Sequence, residues 1–372
     1  MKKVVVLFGG VSSESEISVL TGTFVCSVLK GSRYEVLPVY VGEKGSFYTH
    51  EKFDDPAFFK SADFLKKATQ IFFLGRGVYA LNGKNNKLKK VCEAVAALNC
   101  CHGGLGEGGG VSALMQLNEI PLASPRLTAS GVFMDKAQTK LFIKALKIPT
   151  VDYIRVNEED YRKRGAFLLK SIASRLKYPV IIKPAHLGSS IGIAVADTEG
   201  EVKQAIEAAF EIDNRVIIEK FLLHKKDVNC AACMLGGEIV VSEVEEAASG
   251  DRVYGFEDKY IKRRQEEGKG GNRKLIDGKI RERIRSYTRT VYKRMNLCGV
   301  VRMDFLVQGD EAYLSEVNTV PGSLAYYLFC ERISDARTFF CDLIDEAISS
   351  YQKNKKRVLS TGILSVLPTL KK

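Results

Sequence analysis

The sequence contains no hydrophobic run long enough to cross a membrane. Its longest apolar runs, such as the one in the opening MKKVVVLF, fall far short of the ~20 residues that a transmembrane helix needs. The opening run also breaks at Gly9 and Gly10 with no small-residue cleavage site after it, which argues against a signal peptide. These absences predict a cytoplasmic protein with no membrane partner.

The nine cysteines lack the spacing of a metal site or a disulfide framework. Cys230 and Cys233 form one C-x-x-C motif, but they lie in the apolar stretch DVNCAACML. This stretch is typical of a strand, in which residues three apart point to opposite faces. The adjacent Cys100 and Cys101 are poorly placed to chelate one ion, and no second pair has zinc-finger spacing. We therefore expect reduced, mostly buried thiols, as in a cytosolic protein.

Basic residues exceed acidic ones, but they form no recognition helix for nucleic acid. The net charge is +12, and its densest stretch, KYIKRRQEEGKGGNRK at 259–274, is rich in glycine and mixed in sign. Such a composition favours a loop, and a basic balance also suits small anionic substrates. No nucleic-acid partner is expected, although nucleic-acid binding remains the weaker alternative.

The chain has no internal repeat and no low-complexity linker, and its 372 residues suggest two or three domains. Strand, helix and strand follow one another at the start (KVVVLFG, a helix near 16–29, YEVLPVYV), which predicts a parallel βαβ unit. We interpret 1–126 as an open parallel α/β domain. Mixed strands and helices then divide into 127–222 and 223–372, so the fold class is α/β with an α+β second half.

The turn HLGSSIGI at 186–193 is a candidate phosphate-binding loop because glycines and serines between two apolar strands let backbone N–H groups approach an anion. A plain hairpin turn is the alternative for this motif alone. Lys183, which ends the preceding apolar strand, favours the anion, since a lysine that points inwards requires an anionic partner.

The segment VVRMDFLVQGDEAYLSEVNTVPGS at 300–323 predicts a hairpin with a polar face. If Gly309, Asp310 and Glu311 form the turn, Asp304 faces Glu316 across the pair, and Arg302 faces Asn318 in the same way. Two carboxylates and an amide oxygen are the ligands that Mg²⁺ prefers, and an arginine beside them suits a phosphate or an oxyanion. A salt-bridged hairpin on a solvated face is the alternative, but the intervening positions are apolar.

The order of these motifs along nearly the whole chain resembles the ATP-grasp enzymes and, among them, the D-alanine–D-alanine ligases. The matching stretches are GGVSSESEIS, CHGGLGEGG, Met134-Asp135-Lys136, Lys183-Pro184, Gly188–Gly192, Glu219-Lys220, Asp258-Lys259-Tyr260, Arg302-x-Asp304 and Glu316-x-Asn318-Thr-x-Pro-Gly322. The resemblance implies an ATP-grasp fold and the ATP-dependent joining of two D-alanines through an acyl phosphate, for peptidoglycan synthesis. It also implies a homodimer.

The resemblance assigns residues to the cofactors as follows. It implies phosphate contacts from Lys136, Lys183 and Ser190, adenine contacts from Glu219, Lys220 and Leu222, and a ribose contact from Asp227. It implies that two Mg²⁺ ions, with Mn²⁺ as an alternative, are bound by Asp304, Glu316 and Asn318.

The resemblance assigns a second set of residues to the amino-acid substrates. For the first D-alanine the resemblance implies a Glu16–Ser189–Tyr260 hydrogen-bonded chain with Glu16 on the ammonium, and His102 beside it. For the oxyanion it implies Arg302 and the Gly322 N–H, and for the second substrate Lys259 with Ser323 or Tyr327. The stretch 246–273 is the expected lid, since an acyl phosphate must be kept from water.

The second substrate is the least determined by the sequence. After Pro321-Gly322 the chain reads SLAYYLF, where many family members continue differently, so D-serine, D-lactate or another amino acid remains an alternative. Tyr260 favours an amine acceptor, because the ester-forming members of the family that the chain resembles have phenylalanine at that position. A non-catalytic ATP-binding protein is a further alternative, but the set of charged residues argues for an enzyme.

Overall fold

The computed structural model describes residues 2–82, 87–247, 274–356 and 359–361. The strands of these residues are β1 (Lys2–Gly9), β2 (Tyr34–Val41), β3 (Phe47–Thr49), β4 (Thr69–Leu74), β5 (Gly77–Asn82), β6 (Lys87–Asn99), β7 (Tyr153–Asn157), β8 (Val180–Pro184), β9 (Ala194–Ala196), β10 (Arg215–Lys220), β11 (Lys226–Leu235), β12 (Glu238–Glu246), β13 (Val301–Gln308) and β14 (Glu311–Asn318). The helices are α1 (Ser15–Leu29), α2 (Val111–Leu117), α3 (Leu127–Met134), α4 (Lys136–Ala145), α5 (Glu158–Leu176), α6 (Glu199–Phe210), α7 (Gly278–Arg294) and α8 (Ala336–Asn354). Within the described ranges, no helix has both the length and the apolar character that a bilayer crossing requires.

The first sheet is built around β1, which is buried on both faces as its apolar run predicts. β1 pairs in parallel with β2 on one side and with β6 on the other. The parallel βαβ unit expected from the sequence is therefore present.

This first sheet is closed, whereas we expected an open parallel sheet. β3, β4 and β5 pair antiparallel with their neighbours and lead back to β6, so the six strands form a barrel. Closure depends on the length of β6, which pairs with β5 through Glu93 and with β1 from Ala94 onwards. The antiparallel strands come from residues 42–99, where the sequence contained only short β-like stretches.

The second sheet, in the order β7–β10–β8–β9, separates an apolar face from a charged one. Val216 and Ile218 of β10 pack with α5 and α6 in a buried core. Because side chains alternate along a strand, Glu219 of β10 and Lys183 of β8 share the opposite face.

The third sheet, in the order β12–β11–β13–β14, has cores on both faces. Cys230 packs on the α7 side, and Cys233 packs on the side of α1 and α8, as the strand period predicted. All nine cysteines are free thiols. Arg302 and Asp304 lie on the face of β13 that is opposite to α7.

Helix α1 of the first sheet packs against the late helix α8. The rings of Phe24 and Phe340 meet edge to face at 6.1 Å, and Arg33 forms an ion pair of 3.1 Å with Asp342. This contact joins the first sheet to the third, since both helices share a core with Cys233 of β11.

Candidate functional site

The glycine-rich turn after β1 is hydrogen-bonded to the loop after β6. Ser18 receives a hydrogen bond from the Gly9 N–H at 2.7 Å and donates one to the Cys100 carbonyl at 2.8 Å. Ser12 donates to the His102 carbonyl at 2.6 Å. These bonds fix the position of Glu14, the residue just before α1.

Glu14, and not Glu16, faces the candidate phosphate-binding loop. The Ser189 hydroxyl donates a hydrogen bond to the Glu14 carboxylate, whose residue is only 8% exposed, while Glu16 is exposed on α1. Glu14 lies just before α1 with a non-helical backbone, whereas Glu16 lies in the first turn of α1 on its exposed side. The expected Glu16–Ser189 contact is therefore wrong, and Glu14 takes that position.

Two glycines make room for Glu14. A Cβ at Gly188 would lie 2.6 Å from a carboxylate oxygen of Glu14, and a Cβ at Gly103 would lie 2.9 Å from one. The carboxylate thus fits between two loops that carry no side chain where they approach it. Gly103 has a φ of +66°, which also favours glycine.

His102 is buried beside this turn and is bonded to Thr21. Its Nε2 lies 2.8 Å from the Thr21 hydroxyl, which also accepts the Ser323 N–H at 3.2 Å. Burial, and next the charge of Arg302, lower the pKa of His102 to about 4. His102 is therefore neutral near pH 7, and Thr21 links it to the segment that follows β14.

Glu107 connects the same loop to the end of β14, a role that the sequence did not reveal. Its carboxylate accepts the Gly103 N–H at 2.9 Å, the Val320 N–H at 3.2 Å and the Thr319 hydroxyl at 3.3 Å. Burial raises the pKa of Glu107 to about 7, and the nearby Glu14 adds to the rise. The only signal in the sequence was a single carboxylate in a glycine-rich loop.

Lys136 and the candidate phosphate-binding loop lie together. Lys136 is the first residue of α4, and its ammonium donates to the Leu187 carbonyl and lies 3.9 Å from Glu316. Ser189 and Ser190 have φ values of 52° and 62°, which fold the loop into a tight turn. The Lys136 ammonium therefore lies directly beside the candidate phosphate-binding loop.

Three buried charges line the neighbouring sheet face. Glu219 lies between Lys140 at 3.1 Å and Lys183 at 3.0 Å, and Lys140 also donates to Thr150 at 2.7 Å. Burial alone would raise the pKa of Glu219, but the two lysines lower it to about 2. Burial lowers the pKa of Lys140 despite Glu219. For Lys183, Glu219 and Glu316 outweigh burial, and its pKa is raised.

With Lys136 beside Glu316, three lysines lie near two carboxylates here, which favours a bound anion. Lys140 was missed by the sequence reading because a lysine within α4 looks like an exposed helical residue. Glu219, expected beside adenine, turns its carboxylate towards the two lysines.

The expected adenine and ribose residues lie at the end of β10 and the start of β11. Lys220 and Leu222 line a cavity of about 240 Å³ together with Tyr178, Phe221 and Gln308. Asp227 forms an ion pair with Lys225, and its side chain is one-third exposed. Asp227 is not among the residues that line this cavity.

The hairpin of β13 and β14 has the predicted register. Asp304 pairs with Glu316 and Arg302 pairs with Asn318, although the turn contains only Gly309 and Asp310. A bulge at Ser315 compensates for the shorter turn, because Phe305 pairs with Leu314.

The polar face of this hairpin is tightly connected. Arg302 binds both oxygens of Asp304, at 2.7 Å and 2.9 Å, and its other amino group lies 3.3 Å from the Tyr327 hydroxyl. Asn318 donates to Asp304 at 2.9 Å. The attraction of Asp304 and Tyr327 outweighs burial and raises the pKa of Arg302. Arg302 therefore remains charged.

The side-chain oxygens of Asp304, Glu316 and Asn318 fit Mg²⁺ in the way that nucleotide-dependent enzymes bind it. Among the described residues, no group of three or more His, Cys, Asp or Glu side chains is placed to hold a metal by itself. Asp304, Glu316 and the amide of Asn318 supply a partial set on one face. Mg²⁺ typically takes one or two carboxylates and completes its shell with phosphates and water.

The segment after β14 turns sharply. Gly322–Leu328 is helical, but Ser323, Leu324 and Ala325 have φ values of 50°, 51° and 48°, which non-glycine residues rarely adopt. The segment is held by Thr21 at Ser323 and by Arg302 at Tyr327. Lys259, Tyr260 and nearly all of the expected lid lie outside the described residues.

The protein has the features of the ATP-grasp ligases: two antiparallel sheets carry a glycine-serine loop, buried lysines and a hairpin with acidic residues. Family models confirm the class and narrow it: the D-ala D-ala ligase N-terminus matches residues 3–125, and the D-ala D-ala ligase C-terminus matches residues 142–349. The chain belongs to the D-alanine–D-alanine ligase family, as its motifs predicted.

Individual relatives agree with the family models. The chain is 32% identical to a D-alanine–D-alanine ligase from Thermosipho africanus, over 97% of each protein. A solved D-alanine–D-alanine ligase from Helicobacter pylori is 27% identical with a TM-score of 0.75 and covers 96% of this chain and 100% of its own. A D-Ala:D-Ser ligase from Enterococcus faecalis has the same fold at 23% identity, with a TM-score of 0.72 over 94% of this chain and 99% of its own.

Proposed function

We propose that the protein joins two D-alanines into D-alanyl-D-alanine and converts ATP to ADP and phosphate, as a step in peptidoglycan precursor synthesis. The observation that carries the proposal is the contact between Glu14 and Ser189. It joins an acceptor suited to a substrate ammonium to the loop expected to hold the ATP phosphates.

The ATP site is proposed on the face that carries the buried lysines. Lys136 and Lys183 bind the phosphates, and Ser190 and its loop close over them. Lys220 and Leu222 border the adenine, the Glu219 carboxylate holds Lys183 in position, and Asp227 takes the ribose. Asp304, Glu316 and Asn318 hold Mg²⁺, which when bound offsets the phosphate charge during transfer.

The first D-alanine is proposed between Glu14 and His102. The Glu14 carboxylate accepts from the substrate ammonium, while neutral His102 adds no positive charge beside it. A carboxylate oxygen of this D-alanine attacks the γ-phosphorus of ATP, the bond to ADP breaks, and an acyl phosphate forms. Lys136 and Lys183 stabilise the transferring phosphoryl group.

The second step forms the peptide bond. The neutral amine of the second D-alanine attacks the acyl carbon, and the tetrahedral oxyanion is stabilised by Arg302 and the Gly322 N–H. Collapse expels phosphate, and the amine loses its proton. Ser323 or Tyr327 binds the carboxylate of the second substrate, and Lys259 and Tyr260 belong to the lid.

A different second substrate is the alternative. A D-Ala:D-Ser ligase shares this fold, so the fold alone does not select D-alanine. Phosphate release with ATP and Mg²⁺ should be measured with D-alanine alone, with D-alanine plus D-serine or D-lactate, and with L-alanine as control, with products identified by mass spectrometry. D-Alanine alone should give D-alanyl-D-alanine. Turnover only in a mixed reaction would instead support the alternative.

We further propose three domains at 1–126, 127–222 and 223–372, a homodimer, and action in the cytoplasm. One sheet falls within each of the three ranges. Nine free thiols suit a reducing compartment. Light scattering after size exclusion tests the dimer.

A further inference from the structure

His186 lies where the candidate phosphate-binding loop leaves β8, and both of its ring nitrogens face a carboxylate. Nδ1 lies 2.9 Å from Asp213, and Nε2 lies 3.5 Å from Asp135. A neutral imidazole carries one N–H, so only the charged ring can donate to both carboxylates. The His186 backbone N–H also donates to Asp213 at 2.8 Å.

The two carboxylates belong to elements that carry other residues of the site. Asp135 caps α4 by accepting the Ala137 N–H at 2.8 Å, and the next residue is Lys136. Asp213 precedes β10, the strand of Glu219, and accepts the Arg215 N–H at 3.1 Å. His186 thus ties the loop to two separate elements at once.

The surrounding charges favour the protonated ring. The described titratable groups that face it are Asp135, Asp213 and Arg215, and Arg215 itself forms an ion pair with Asp135. With His186 charged, the four groups sum to zero; without its proton, they carry one net negative charge. The carboxylates of Asp135 and Asp213 raise the pKa of His186 to about 9. Burial alone would raise the pKa of Asp135, but His186, the helix-cap N–H groups and Arg215 lower it to about 2.

We propose that charged His186 is a positioning residue that fastens the rest of the candidate phosphate-binding loop, 187–193, to α4 and β10 in the geometry that binds the phosphates of ATP. This inference rests on the proposed function, because it takes that loop as the phosphate site. The direction with pH follows from the raised pKa of His186. Its contribution is complete below the ordinary value of 6.5 and is lost as the pH rises through about 9.

The test is the affinity for ATP with Mg²⁺, without amino acid, measured by calorimetry between about pH 7.5 and about pH 10. Wild-type affinity should fall roughly tenfold with a midpoint near 9, the size expected for loss of a charge-assisted contact. His186→Gln should bind roughly tenfold more weakly at the low end and show no such midpoint.

Two further variants separate positioning from mere folding. Asp213→Asn removes a charge and keeps an acceptor oxygen for one of the two backbone N–H groups, so the midpoint should move to lower pH. His50→Gln, in the first sheet's domain, should follow the wild-type curve. A His186→Gln curve with the wild-type midpoint, an unmoved midpoint in Asp213→Asn, or an equal change in His50→Gln would overturn the proposal. Absence of ATP binding by the wild type at neutral pH would overturn the proposed function itself.

Discussion

At the scale of single residues, a two-residue difference decides which glutamate belongs to the site. Glu14 is buried against Gly103 and Gly188 and accepts from Ser189, whereas Glu16 lies on the exposed side of α1. The chemical types are identical, so only position separates them. The pair therefore offers a matched experiment.

Glu14→Gln should raise the KM for the first D-alanine by ~10–100-fold, because a charge-assisted contact is worth ~1.5–3 kcal/mol. Steady-state phosphate release at varied D-alanine measures it. ATP affinity should change little, since the glutamine can still accept from Ser189. Glu16→Gln is the control and should resemble the wild type. A larger effect of Glu16→Gln would return the substrate site to the original assignment.

At the scale of elements, the loop between β8 and β9 depends on one glycine for its approach to Glu14. Gly188→Ala places a methyl group 2.6 Å from the carboxylate, so the Glu14 side chain must move. We expect the D-alanine KM to rise ~10-fold, as for loss of the Glu14 contact, with little change in thermal stability. Gly200→Ala in α6, where an added Cβ meets nothing within 4 Å, is the control. Equal KM values in the two variants would contradict the steric argument.

The β13–β14 hairpin is the element that should bind metal. Asp304→Asn should raise the Mg²⁺ concentration for half-maximal activity by at least ~10–100-fold. Metal affinity typically falls by that factor even when the changed residue only hydrogen-bonds to a ligand. Asp310→Asn, at the exposed tip of the same hairpin, should leave the Mg²⁺ titration unchanged. Coinciding titration curves for Asp304→Asn and the wild type would remove Asp304 from the metal site.

The β13–β14 hairpin also shows which parts of the site can be predicted from the sequence alone. Alternation within VRMDFLVQ and EAYLSEVN predicted that Asp304 faces Glu316, because a buried face fixes the register. Glu14 was missed because its role depends on α1 starting at Ser15, and helix boundaries are poorly determined by local pattern. Closure of the first sheet was missed because it needs one strand, β6, to pair both with its sequence neighbour β5 and with the distant β1. Local periodicity contains no such information.

At the scale of the molecule, α1 and α8 hold the first and third sheets together. Phe340 is fully buried and contacts Phe24, so Phe340→Ala should lower the free energy of unfolding by ~3–5 kcal/mol. Urea unfolding followed by circular dichroism suits this chain, which has no tryptophan. Phe167→Ala is the control, because Phe167 is 66% exposed and should cost under ~0.5 kcal/mol. A loss as small in Phe340→Ala as the one expected for the control would show that the α1–α8 contact carries little stability.

The contact of α1 with α8 also has a consequence for synthesis on the ribosome. Arg337 of α8 donates to the Val28 carbonyl of α1 across 309 positions of sequence. At ~5–20 residues per second, roughly 15–60 s separate the appearance of the two helices. Throughout that interval the apolar side of α1 has no α8 to cover it. A nascent chain that stalls before α8 therefore exposes the apolar surface of α1 that α8 would cover. Such a chain should bind chaperones preferentially.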